Sequence, residues 1–152
     1  MDGSGYRPRK MSIEELVSVL VSEHGVMKAG LLRAKDAATR HDFQAVGIEL
    51  RRIDIVFRQH IADEESQILR LLVGRLGKEG AADEIRVFQQ HRPIYALMQK
   101  LSELAEMSSD ELATRQSELD ALFEEHTEAE QSRVFPRVLS LMGESGKTPA
   151  DV

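Results

Sequence analysis

The chain has 152 residues, 30% charged, 41% hydrophobic and 5% aromatic, with no Trp; this fits one domain of long helices and opposes a β-sandwich. Zero Cys excludes a disulfide scaffold, an iron–sulfur cluster and thiolate zinc, and a net charge of −6 opposes general nucleic-acid binding. No apolar run approaches the ~20 residues of a membrane span, and MDGSGYRPRK lacks the apolar stretch of a secretory leader, so a cytoplasmic protein without membrane partners is expected.

Residues 1–11 read as a flexible tail in which Arg7, Arg9 and Lys10 form a small basic tag. Ser12 with Glu15 forms a capping box that opens the first helix. Its apolar stripe runs Ile13, Leu16, Leu20, Met27, Leu31 and Ala34. Arg40-His41-Asp42 breaks this helix, and Asp42 caps the second, which is lined by Val46, Leu50, Ile53, Phe57, Ile68 and Leu71. Gly74, Gly77 and Gly80 mark the next turn. A third helix from about Ala81 turns Ile85, Phe88, Tyr95, Met98, Leu101 and Ala105 inward, with Pro93 expected to kink it. Ser108 with Glu111 reads as a second capping box, starting a fourth helix lined by Leu112, Leu119, Phe123, Val138 and Leu141. Residues 143–152 read as a second flexible tail. Its Gly143, Gly146, Lys147 and Thr148 do not make a phosphate loop, because Leu141 stands where the first Gly belongs. Four long helices joined by short turns predict an all-α, up-down-up-down antiparallel four-helix bundle over residues 12–142.

Four of the five histidines fall at one depth of that bundle. The turns lie near residues 41, 77 and 109. His24 precedes the first turn and His60 follows it, while His91 precedes the last turn and His126 follows it. Each is roughly 17–19 residues from its turn, which places all four ~26 Å from the same end of the bundle, one on each helix. His41 falls in a turn. Glu64 and Glu130 follow His60 and His126 at i+4, on the same helix face, and lean back toward the layer. The segments also repeat: Phe57-x-x-His60-x-x-x-Glu64 echoes Phe123-x-x-His126-x-x-x-Glu130, and Phe88-x-x-His91 repeats the first half. The step from His24 to His91 nearly equals that from His60 to His126, so the chain reads as two similar helical hairpins. Phe57, Phe88 and Phe123 are expected to wall the layer.

These positions continue the apolar stripes, and burying two carboxylates and four imidazoles needs compensation. A self-satisfied His–Glu network is one answer. A dinuclear metal site accounts for all six residues, since each carboxylate can bridge two cations while the imidazoles supply neutral nitrogen. The sulfur-free N/O donor set suits iron first, then manganese or zinc. A bridging oxo or hydroxo group brings each metal to five ligands and leaves an open position. The facing glutamates are expected to have raised pKa values, so the metal-free form gains stability at lower pH. Tyr95 at i+4 from His91 faces the site as core filling, Met27 and Met98 are core, and Asp63, Glu65, Glu124, Glu125 and Glu128 are solvated.

The ordered set His24, His60-x-x-x-Glu64, His91, His126-x-x-x-Glu130 resembles the hemerythrin-like (HHE cation-binding) domain family over roughly residues 12–142. The resemblance implies a four-helix bundle with a non-haem di-iron centre, held by those six residues. Oxygen-carrying members have a second His at the position of Tyr95 and an Asp at that of Gln131. The four-His, two-Glu set is closer to the di-iron domain of iron-centre repair proteins linked to nitric-oxide stress. The favoured expectation is chemistry on O2, NO or peroxide, in stress response or iron handling. The alternatives are an O2 or iron sensor or carrier, and a metal-free helical interaction protein; a monomer or a homodimer fits each.

Overall fold

The computed structural model describes residues 6–145, and they form a four-helix bundle. The first arm is α1, Ile13–Thr39. The second runs as α2, Phe43–Asp63, through a π-helical stretch, Glu64–Leu69, into α3, Arg70–Gly80. The third joins α4, Ala82–Gln89, to α5, His91–Glu106. The fourth is α6, Leu112–Ala129, a π-helical stretch, Glu130–Val134, and α7, Phe135–Ser145. α1 packs on α2, α2 on α5, α5 on α6, and α6 back on α1, closing the ring. No helix among the described residues is long and apolar enough to cross a membrane. Residues 1–5 and 146–152 of the expected tails, with most of the rejected phosphate-loop resemblance, lie outside the described residues.

Local chemistry sets the turns. The Ser12 hydroxyl accepts the Glu15 N–H, and the Asp42 carboxylate accepts that of Ala45. Losing an N-cap of this kind costs about 1 kcal/mol. Asp42→Ala is expected to lower stability by that amount in a urea titration without changing the slope. At the first turn His41 takes φ 57°, and Asp42 N–H and His41 N–H return to the carbonyls of Ala37 and Ala38. The last turn repeats this motif, with Ser108 at φ 51° and Ser109 and Ser108 returning to Leu104 and Ala105. Both are Schellman closures. They correct the expected Ser108 cap: Ser108 ends α5, and the hydroxyl of Ser109 accepts the Glu111 N–H. The middle turn is made by Gly77 at φ 72°, a conformation open to glycine.

The third arm breaks at Gln90, one turn before Pro93, whose missing N–H leaves the Gln89 carbonyl without its helical donor. The π stretches are not predicted by the apolar periodicity. Each begins at a glutamate and carries a Ser two residues on. The Ser66 hydroxyl donates to Ala62 O, and that of Ser132 to Glu128 O at 2.7 Å. A hydroxyl on the i−4 carbonyl competes with the backbone donor there and bends the helix. The wider turn also carries the buried face on, so Leu72 is fully buried where Leu71 was expected, and Phe135 enters the core.

The apolar core is split in two. One cluster gathers Met27, Leu31, Leu50, Phe57, Ile94, Leu101 and Phe123 toward the first and last turns. The other gathers Leu16, Leu20, Ile68, Leu72, Phe88 and Phe135 toward the middle turn. The histidine layer lies between them.

Candidate metal centre

All six residues read from the sequence meet in that layer, each at most 2% exposed. They form two overlapping groups able to hold a metal ion: His24, His60, Glu64 and Glu130, and Glu64, His91, His126 and Glu130. Within each group one candidate ligand atom per residue lies within 4.8 Å of the others. Both glutamates belong to both groups. His24 Nε2 lies 2.8 Å from Glu130 Oε1, and His91 Nε2 lies 2.8 Å from Glu64 Oε1. His60 Nε2 to Glu64 Oε2 and His126 Nε2 to Glu130 Oε2 are both 3.2 Å. The ring centroids of His24 and His60 are 5.0 Å apart, and those of His91 and His126 are 4.9 Å apart.

The orientation of the rings has a cause that the sequence reading missed. Every Nδ1 faces an acceptor outside the layer: Gln131 for His24 at 2.7 Å, Glu23 for His60 at 3.0 Å, Glu65 for His91 at 2.9 Å and Gln90 for His126 at 2.9 Å. An ionised carboxylate only accepts, so His60 and His91 donate at Nδ1 and turn Nε2 inward. Partners of this kind set the tautomer and the ring plane of metal-binding histidines. They follow a rule: the residue before His24 or His91 serves the next arm's histidine, and the residue after Glu64 or Glu130 serves the remaining two. The two-hairpin repeat sets these residues at equivalent places in the sequence, but which ring each one faces shows only in the tertiary structure.

Four buried atoms in the layer have no hydrogen-bond partner: His60 Nε2, Glu64 Oε2, His126 Nε2 and Glu130 Oε2. At 3.2 Å each His–Glu pair is close enough but misaligned, with nitrogen and oxygen aimed at shared space. Each such atom costs about 1–3 kcal/mol unless an imidazolium–carboxylate pair or a cation takes it up. A cation between them would give all four a partner.

Electrostatics in the metal-free layer runs opposite to expectation at one carboxylate. Burial raises the pKa of Glu130, but the charge of His126 and contacts with Glu64 and His24 outweigh it and hold the group well below 4.5. Burial opposes charge on His60, yet Glu64, Glu130 and Glu23 raise its pKa well above 6.5. At His91 burial is likewise overcome, here by Glu130, Glu64 and Glu65. Glu130 is thus held toward its ionised form and His60 and His91 toward their protonated forms, which corrects the raised value expected for Glu130.

The surroundings correct further expectations. Phe57 meets His91 edge-on at 6.0 Å and Phe88 stacks on it at 5.4 Å, while Phe123 shares the apolar cluster toward the first and last turns with Phe57. Phe135 stacks on His24 at 5.9 Å, a wall the period-3.6 reading missed. Tyr95 does not face the layer; its hydroxyl accepts from Arg58 at 2.7 Å. Asp63 is fully buried, and Glu65 holds His91, so neither is merely solvated. Glu124 does lie on the surface, paired with Lys28. A groove of about 370 Å³, lined by Glu65, Leu69, Phe88 and His91 among others, reaches the layer beside the break at Gln90. A cavity of about 560 Å³ between α2 and α5 includes none of the six residues. No family model, curated protein or solved structure matches this chain.

Proposed function

We propose that this chain is a hemerythrin-like, non-haem di-iron protein that handles a small molecule such as O2, NO or peroxide. The observation that carries this reading is the pair of four-residue groups sharing both carboxylates, with all four Nδ1 atoms already held from outside. His24, His60, Glu64, His91, His126 and Glu130 are the proposed ligands. Bound iron would supply one-electron redox chemistry and open coordination positions. The residues do the rest. Glu64 and Glu130 bring carboxylate charge to both positions, offsetting the cost of burying cations. Phe57, Phe88 and Phe135 exclude bulk water, and the groove beside His91 offers neutral small molecules a way in.

Tyr95 and Gln131 stand where oxygen carriers have ligands, and here both are otherwise engaged, one with Arg58 and one with His24 Nδ1. Fewer protein donors leave more of each metal open to exogenous ligands, which favours oxidation or turnover over reversible oxygen storage. Protein from iron-replete cells, purified without air, is expected to hold about two irons per chain. Air should then change its visible spectrum irreversibly, and NO or peroxide should perturb it. Less than half a metal per chain overturns the di-iron reading. An oxygenated spectrum that reverses under argon restores the carrier.

A further inference from the structure

Outside the bundle, Arg9 of the small basic tag is anchored to the helices. Arg9 N–H donates to Asp63 Oδ1 at 2.8 Å and Arg9 Nε to Asp63 Oδ2 at 2.7 Å. Its other arm, Nη2, reaches Glu23 Oε1 at 3.0 Å, the same oxygen that faces His60 Nδ1 at 3.0 Å. Gln59 Nε2 holds the carbonyl of Arg7, and Gln67 Nε2 that of Arg9, while both amides also donate to Asp63. Asp63 has no exposed surface, and it lies next to Glu64 in the chain. One guanidinium therefore ties the N-terminal segment, α1 and the second arm together behind a single histidine. The other half of the repeat has no counterpart. Gln90, just before His91, takes the place of Glu23, and Ala129, just before Glu130, takes that of Asp63, so neither carboxylate recurs.

Resting on the di-iron reading, we infer that Arg9 is a positioning residue that makes the two metal positions inequivalent. It clamps Glu23 on His60 Nδ1 and so preorganises the His24–His60 position, while the His91–His126 position has no such clamp among the described residues and borders the groove. Losing an outer partner of a metal-bound histidine costs about 10–100-fold in affinity. Arg9 acts one bond further out, so the expected loss is about 10-fold, at one position. Coupling is reciprocal, so metal at that position tightens the strap by the same factor.

Stepwise titration of the metal-free full chain with Co2+, read by visible absorption, tests this. Arg9→Ala is expected to weaken one of the two binding steps about 10-fold and leave the other within about 2-fold. Arg9→Lys should recover part of the loss, and Arg7→Ala, at an exposed residue, should cause none. In a second arm, trypsin cuts after Arg9 and Lys10, and Co2+ should slow that cleavage about 10-fold in the wild type but not in Arg9→Ala. Equal weakening of both steps reveals a general loosening and overturns the inference, as does no change in either. A wild-type chain that takes up no Co2+ overturns the metal reading itself. Two normal steps, untouched by Arg9→Ala, overturn only the clamp.

Discussion

Glu130→Ala is expected to remove metal from both positions at once, with affinity falling by more than about 100-fold, beyond the loss caused by an outer partner. The reason is that Glu130 lies within reach of every imidazole. Its oxygens are 2.8 Å from His24, 3.7 Å from His60, 3.9 Å from His91 and 3.2 Å from His126. No other side chain in the layer can supply the missing negative charge except Glu64, which already serves His60 and His91. Glu64→Ala should act the same way for the same reason. His24→Ala and His126→Ala remove one donor from one position each, and should leave the opposite position occupied. His41→Ala should leave uptake intact, since His41 sits in the first turn. Elemental analysis and circular dichroism on the same samples separate loss of metal from loss of helix. Helical Glu130→Ala protein that still holds two metals would refute the part proposed for Glu130 in both groups.

The second large effect is on pH. Without metal, folding is coupled to protons at three buried groups. His60 and His91 have pKa values raised well above 6.5, so their contribution to stability is complete below 6.5 and is lost as pH rises through the folded-state values. Glu130 is held well below 4.5, so its contribution is present above 4.5 and is lost as pH falls through its folded-state value. Metal-free protein is therefore expected to be most stable between about pH 4.5 and 6.5. Above that window each imidazolium costs about 1.4 kcal/mol per pH unit until its own pKa is passed. Metal binding needs these rings deprotonated at Nε2, so uptake releases protons and strengthens with pH. The gap in melting temperature between loaded and metal-free protein should widen from pH 6 to pH 8. A metal-free melting temperature that is flat across that range, or rises, would contradict the assigned protonation. A melting curve that chelator does not change would remove the metal from the account of stability altogether.

Much of this protein is legible in the order of its residues. Apolar residues at three- and four-residue spacings define four helices, and Asp42, Gly77 and the residues around 109 mark where they reverse. Once the arms alternate in direction, the constant rise per residue of an α-helix alone determines depth. That is why counting from the turns brings His24, His60, His91 and His126 to one level, with Glu64 and Glu130 beside them. Depth along a helix is a one-dimensional quantity, and a linear chain encodes it directly.

Rotation and partner choice are different quantities, and only the tertiary structure decided them. Tyr95 stands at i+4 from His91, yet α5 is turned so that its hydroxyl meets Arg58. The Nδ1 partners each come from another arm, 26 to 107 residues away in the chain. The Arg9–Asp63 contact spans 54 residues and joins a segment with no periodicity to a residue that reads as a surface carboxylate. The π stretches shifted the buried face to Leu72 and Phe135, because helical propensity does not discriminate between i→i+4 and i→i+5 pairing. An apolar stripe states which side of a helix is dry. Which polar group stands across from it depends on how neighbouring helices are rotated against one another, and packing of the two apolar clusters above and below the layer sets that rotation.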